Sequence, residues 1–394
     1  MTSIDNDSIG DTATRILQEL VRIPSVNPDL VPGAPGEAEI ARYICELMQS
    51  WGLEVIHREV ATGRYNAIGI LRGMGGGRTL LFNGHTDTVG VEGMAQPYSG
   101  DIREGKLYGR GAIDMKGSLA AMLAAAQSLA RSKKRLRGSV IFTYVADEEY
   151  ASIGSEGIVA DIRQGRLPHP DAAINTEPSG LKIGMGHKGF AWIEIETRGK
   201  AAHGSRPDLG IDAITQMGKV LVEIDRLQKN LTEGRQHPLL GSGSIHASLI
   251  QGGRELSTYP DHCKLQIERR TVPPESEQDV ANEIGLILEG LRRADSTFQA
   301  TSRVTFARNP WQADVQSDVS RALAQSVQNV TGREAETMTF TAWLDSALLG
   351  DAGIPTVVFG PTGEGLHALV EWIDVSSLEV CAQVYLDMIE RFCG

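Results

Sequence analysis

The chain has 394 residues, 41% hydrophobic and 22% charged, with 44 glycines and 16 prolines, enough for two or three domains with real cores and outside the disordered and collagen-like classes. Its 38 basic residues against 50 acidic ones leave a net charge of −12, the wrong sign for holding a phosphate backbone, which excludes nucleic acid as a main partner. Cys45, Cys263, Cys381 and Cys393 form no C-x-x-C pair and read as reduced thiols. No apolar run has membrane-spanning length and the opening MTSIDNDSIGD is acidic where a signal peptide is basic, so a cytoplasmic protein without a membrane partner is expected.

Thr14 to Trp51 carries two amphipathic helix patterns, Ile16, Leu17, Leu20, Val21 and then Ile40, Tyr43, Ile44, Leu47, around the Pro-rich loop IPSVNPDLVPGAPGE. Leu53 to Ile56, Asn66 to Leu71 and Thr79 to Asn83 read as strands. The turn RGMGGGR between the last two lacks the G-x-x-x-x-G-K-[ST] order and the following helix of a phosphate loop, and is read as a hairpin turn. KGSLAAMLAAAQSLARSKK, Lys116 to Lys134, is an Ala- and Leu-rich helix with a basic last turn. Strands at Ser139 to Ala146 and Ala172 to Asn175 complete an alternation that predicts an α/β sandwich.

Near Gly189 the pattern changes. Phe190 to Arg198 (strand), Gly210 to Gln228 (helix), Ser244 to Gln251 and Cys263 to Thr271 (strands), Glu277 to Arg293 (helix) and a closing strand predict one antiparallel sheet with helices on one face. The α/β pattern then resumes with Val315 to Val330, Pro355 to Phe359 and Ser376 to Phe392. The expected domains are 1–188 and 308–394, together one catalytic α/β unit, interrupted by 189–307.

Chemistry gathers at the ends of the α/β strands. LLFNG leads into His85-Thr86-Asp87, where alternation in extended chain lets imidazole and carboxylate converge. The glycine-rich GRGAIDMKG puts Asp114 before the long helix, as a cap or a metal ligand. SVIFTYVA ends in Asp147-Glu148-Glu149, three acids that repel unless cations or protons compensate them. Glu177 follows Ala172 to Asn175, and His367 follows VVFG. Ligands of open α/β sheets sit at the carboxyl ends of the strands, so these residues can share one pocket. Two histidines with several carboxylates and no cysteine suit Zn2+, with Co2+ or Mn2+ able to substitute.

HTDTV, GRGAIDMKG, DEE, NTEP, GKAAHGSRPDLGIDAI and GLHALVEW, in this order from about Ile23 to the C-terminus, resemble the ArgE/DapE/aminoacylase family of two-zinc metallopeptidase-like amidohydrolases. The resemblance implies a zinc-exopeptidase-like α/β/α catalytic domain with an inserted α+β, ferredoxin-like lid and dimerisation domain, and hence a homodimer. It further implies that Asp114 bridges two zinc ions, with His85 and Glu177 completing one site and Glu149 and His367 the other. Asp87 would orient His85, and Glu148 would act as general base on zinc-bound water. His203 would stabilise the oxyanion, and Arg270 would bind a substrate carboxylate, although Arg269 is adjacent.

The implied reaction is hydrolysis of a small N-acyl amino acid of the acetylornithine or succinyl-diaminopimelate type. A dipeptidase or glutamate-type carboxypeptidase is the alternative within the family, and a catalytically silent binding or scaffold homologue the alternative outside enzymes. Ser257 stands where family members often carry a substrate-touching asparagine, which opens the question of substrate identity. His187, His246 and Asp345 lie in stretches near the family's cleft without an assigned role.

Overall fold

The structure, a computed structural model, describes residues 8–132 and 134–394. The chain divides into two units. The first holds the described residues up to Met185, with Ala313–Met338 and Leu344–Gly394, and the second holds Gly186–Gln312 and Thr339–Trp343.

In chain order, the first unit begins with helices α1 (Ile9–Arg22) and α2 (Ala38–Ser50), strands β1 (Glu54–Ala61), β2 (Arg64–Leu71) and β3 (Leu80–His85), and helix α3 (Gly117–Arg131). Then come β4 (Val140–Val145), helix α4 (Ile153–Arg163), β5 (Ala172–Asn175) and β6 (Ile183–His187), which runs into the second unit. The second unit contains β7 (Gly189–Arg198), α5 (Ala213–Glu233), β8 (Ser244–Gly252), β9 (His262–Thr271), α6 (Glu277–Ala294) and β10 (Gln299–Arg308). The first unit resumes with α7 (Asp318–Thr331), α8 (Ser346–Asp351), β11 (Thr356–Val358) and α9 (Val375–Cys393).

The main sheet of the first unit runs β1-β2-β4-β3-β5-β11-β6. Its centre, β4-β3-β5-β11, is parallel. Those strands are mostly apolar and fully buried, as strands covered on both faces must be. Register fixes where they stop: His85 lies beside Val145, and Asn83 and Val358 both lie beside Asn175. The residues that follow, Asp87, Asp147 to Glu149 and Glu177, therefore leave the sheet along one edge.

The Ala-rich helix α3 packs flat against that sheet, its Ala120, Ala121, Ala125 and Ala126 without exposure. The approach is close enough that a Cβ on Gly84 would meet Thr176 Oγ1 at 2.6 Å and Leu119 Cδ2 at 2.8 Å, so only glycine fits one residue before His85. Phe82 stacks on Phe142 with ring centroids 5.5 Å apart and meets Tyr385 edge-on at 5.1 Å, and the Tyr385 hydroxyl donates to the Phe359 carbonyl at 2.6 Å.

The second unit is a four-stranded antiparallel sheet, β8-β9-β7-β10, whose buried face (Ile193, Ile195, Leu265, Ile267) packs on Met217 and Val220 of α5 and Ile284 and Leu288 of α6. It also takes Thr339–Trp343 from a stretch expected in the α/β part, because the Trp343 ring lies edge-on to His187 at 6.1 Å and to Phe190 at 6.3 Å. Helix α4 and strand β6 went unread in the sequence; the two glycines of IGSEGIVADIR blur the helical period of the first.

Removing the Phe82 ring leaves a cavity between two aromatic partners, and Phe82→Ala is expected to lower unfolding free energy by about 3–5 kcal/mol. Urea denaturation of the metal-loaded protein measures it.

Candidate active site

His85 ends β3 and is 1% exposed. Its Nδ1 lies 3.0 Å from the backbone carbonyl of Asp87. A carbonyl oxygen only accepts, so Nδ1 carries the proton and the lone pair of the neutral ring sits on Nε2. That nitrogen faces Asp114 Oδ1 at 3.2 Å and Glu177 Oε1 at 3.8 Å. A lone pair turned on two carboxylates is repulsive unless a proton or a cation lies between them.

On the other side of the same carboxylate, Asp114 Oδ2 lies 3.3 Å from His367 Nε2, which is 3.1 Å from Glu149 Oε2. Glu149 Oε1 is buried with no hydrogen-bond partner among the described residues. Donor atoms of His85, Asp114 and Glu149 lie within 4.8 Å of one another, as do those of His85, Glu148 and Glu177. Two ligand atoms each 2.0–2.2 Å from one ion at the tetrahedral angle are about 3.3–3.6 Å apart. The contacts here, from 3.1 to 3.8 Å, bracket that edge length and exceed the 2.7–2.9 Å of a charge-assisted hydrogen bond. The donor set and the orphaned Glu149 oxygen thus fit a divalent cation on each side of Asp114.

The electrostatics point the same way. Burial alone would lower the His85 pKa, but Asp114, Asp87 and Glu177 around it drive it well above its ordinary value. Hydrogen bonds to Asp114 and Glu149 raise His367 to about 10. Burial, then Asp114 and Asp345, push Glu177 up to about 8. Burial, then Glu177, hold the Glu148 carboxyl far above the carboxylate range. Each shift recruits positive charge or a proton into the cluster.

The scaffold that holds these groups was largely invisible in the sequence. The Asp87 carboxylate lies 3.5 Å from His85 Nδ1, farther than the residue's own backbone oxygen. Its oxygens instead accept the backbone N–H groups of Glu148 and Glu149 at 3.1 and 3.2 Å, and Asn27 Nδ2 at 2.8 Å. Asp147, in the left-handed region at φ 71°, is neutralised by Arg64, which also forms a bidentate pair with buried Glu37 at 2.6 Å. Of the three consecutive acids, Asp147 is compensated in this way, while Glu148 and Glu149 stay raised.

Glu371 binds the Asp114 turn. Oε1 accepts the N–H groups of Ile113 and Asp114 and Oε2 that of Gly111, at 3.0–3.1 Å, while Arg110 Nη1 donates to Oε2 at 2.6 Å. Arg110 also donates to the Ala368 carbonyl, next to His367, tying the loops of two presumptive ligands together. Asp345, buried and raised by that burial to about 6, accepts from Ser155 at 2.5 Å.

The remaining sequence candidates belong to the second unit. His203 is exposed with Nδ1 2.8 Å from Ser205 Oγ. Arg269 is buried and paired with Glu275 and Glu283, a fold-holding role, whereas Arg270 is partly exposed and donates to Glu268 at 2.7 Å. Its guanidinium lies over the Phe190 ring. Ser257 accepts the Gly204 N–H through its backbone. His187 is buried beside Trp311, and His246 is exposed on β8.

Residues 81–391 match the family described as Peptidase family M20/M25/M40. The chain belongs to that family. It is 28% identical to an N-formyl-4-amino-5-aminomethyl-2-methylpyrimidine deformylase of Halalkalibacterium halodurans, over 96% of this chain and 93% of that one. An acetylornithine deacetylase of Myxococcus xanthus is 29% identical over 84% and 85%. The fold is similar to that of the aminopeptidase PepT from Bacillus cereus, with TM-score 0.78, 20% identity and coverage of 98% and 99%. As an M20 member the chain is a metal-binding hydrolase of amide bonds, with an α/β catalytic architecture of that family.

Two outcomes are expected. Glu371→Ala frees the backbone of the Asp114 turn and is expected to weaken metal affinity about 10–100-fold, read by calorimetric titration of the apo-protein. The second concerns pH. Glu177 with a folded pKa near 8 binds more protons folded than unfolded from about pH 4.5 upward, so its contribution to stability falls as pH rises to 8. The raised His367 contributes in the same direction between pH 6.5 and 10. Chelator-treated protein is therefore expected to lose melting temperature from pH 5 to 8, and the gap to metal-loaded protein to widen, in calorimetric scans.

Proposed function

We propose that this M20 hydrolase removes a short acyl group (acetyl, formyl or succinyl) from the nitrogen of a small amino acid or related amine, using two divalent cations per chain. The observation that carries the reading is the split of one carboxylate: Asp114 faces His85 through one oxygen and His367 through the other. His85, Asp114 and Glu177 would hold one cation, and Asp114, Glu149 and His367 the second. Zinc suits these nitrogen and oxygen donors, with cobalt or manganese able to substitute. Such a pair polarises a carbonyl and lowers the pKa of water.

The chain's own groups supply the proton chemistry and the positioning. Glu148 follows the strand end one residue before Glu149, and the Asp87 carboxylate fixes both backbones. Glu149 turns to His367, which leaves Glu148 to take a proton from water and return it to the leaving nitrogen. His85 keeps Nε2 directed at the cluster because Asp87 engages Nδ1. His203 is assigned to the oxyanion and Arg270 to a substrate carboxylate, with the second unit as lid and dimerisation domain. Two named relatives, a deformylase and a deacetylase, support a short acyl group. We assign a cytoplasmic homodimer; among the described residues no helix is long and apolar enough to cross a membrane.

Glu148→Gln keeps the shape of the side chain but not its basicity. It is expected to retain two metals per chain by elemental analysis and to lose about 10²–10⁴-fold in kcat on N-acetyl amino acids. Retention of most of kcat overturns the assignment of the base, and failure of any divalent metal to restore chelator-treated enzyme overturns the reaction.

A further inference from the structure

A cavity of about 620 Å³ opens beside His367 within the first unit. Its walls are largely apolar: Val26, Val31 and Pro35 from one loop, Val89 and Val91 from a second, Leu369 from the loop that carries His367, and the Tyr98 ring. These walls are built before any ligand arrives. The first two loops are stitched by Asn27 N–H to Thr88 O at 2.9 Å and Thr88 N–H to Ser25 O at 3.0 Å. The first folds back on itself, with the Val31 and Gly36 amides donating to the Asn27 and Val26 carbonyls. A Cβ on Gly90 would meet Val31 at 3.2 Å and one on Gly93 would meet Leu369 at 3.3 Å, so both side chains lie close on the second loop.

Charge decides what the cavity accepts. The one arginine in its lining, Arg110, is spent: Nε donates to Gly90 O at 3.1 Å, Nη1 to Glu371 and Nη2 to Ala368 O at 3.0 Å. The remaining ionisable carboxyl in the lining is Glu92, which is exposed. An anionic acyl arm would meet apolar walls and a like charge, and the cationic side chains of the lining are already engaged, Arg110 by Glu371 and His367 by Asp114 and Glu149. An apolar arm would instead cover side chains left in water, Leu369 at 61% and Val31 at 40% exposure, next to a presumptive metal ligand.

We propose that the substrate carries a branched aliphatic or aromatic group on the side of its amide that faces His367, and that this group seats in the cavity, against succinyl arms. This rests on the amidohydrolase reading and narrows its substrate class.

The test is kcat/KM of the metal-loaded enzyme on N-acetylglycine, N-acetyl-L-leucine, N-acetyl-L-phenylalanine, N-benzoylglycine, N-acetyl-L-ornithine and N-succinylglycine. At least one leucyl, phenylalanyl or benzoyl amide is expected to exceed N-acetylglycine by about ten-fold or more, and N-succinylglycine to fall below it. Leu369→Ser and Val31→Ser change exposed loop positions, and each is expected to shrink the apolar-to-glycine ratio several-fold, with melting temperature and metal content checking the fold. Preference for the succinyl or ornithine compound, or an unchanged ratio in both variants, overturns the cavity assignment alone. Hydrolysis of none of the six overturns the amidohydrolase reading with it.

Discussion

A buried cluster of carboxylates cannot remain ionised without positive charge, and the first unit concentrates Asp87, Asp114, Asp147, Glu148, Glu149, Glu177 and Asp345 about the ends of its parallel strands. The cost of desolvating so many acids exceeds anything hydrogen bonds to the backbone can offset. Everything else about the site is a way of distributing compensation: arginines for some acids, backbone amides for others, and imidazole for those that remain. Among the described residues every ion pair of Asp114, Glu149 and Glu177 is with a histidine. Those are the acids whose partner can be exchanged for a metal, because imidazole is itself a ligand once its proton leaves.

The compensation is layered. Parallel register delivers His85, Glu149 and Glu177 to a common edge without any side-chain design, since neighbouring strands stop at matched positions. The two proposed ligands that are not at strand ends need separate anchors. Asp114 sits in a widened turn ahead of α3 and depends on four donors to Glu371. His367, in the left-handed region at φ 60° and 55% exposed, is the least buried presumptive ligand. Arg110 joins these two elements, donating to Glu371 and to the Ala368 carbonyl. Left-handed backbone at Asp147 and His367 marks where geometry at the site overrides local preference.

Most of this site could be read from the sequence because its chemistry-bearing residues follow apolar runs with clear strand or helix character: HTD after LLFNG, DEE after SVIFTYVA, NTEP after a short strand. The supporting groups could not. Glu371 lies 261 positions from Arg110, and Asn27 lies 120 from Asp147, so no local pattern links them. Glu37 and Arg64 look like ordinary surface residues of a helix start and a hairpin until tertiary packing buries them. One ambiguity was soluble in advance. Cys263, Leu265 and Ile267 alternate inward along β9, which puts Arg269 on the buried face and leaves Arg270 on the other, the order the sheet shows. The second unit's claim on Thr339–Trp343 was not, since it depends on tryptophan packing across a long gap in sequence.

The allocation of positive charge separates what must stay from what must be exchangeable. Guanidinium never loses its proton, and the chain places it on acids that only hold the frame: Arg64 on Glu37 and Asp147, Arg110 on Glu371. An arginine on Asp114 or Glu149 would neutralise the cluster as well but permanently, closing it to a cation. Histidine at those two positions neutralises the apo-protein as imidazolium and, by giving up one proton, becomes a donor instead. The same residues therefore limit the folding cost of the empty cluster and build the filled one, so metal affinity and stability at neutral pH are two readings of a single charge balance.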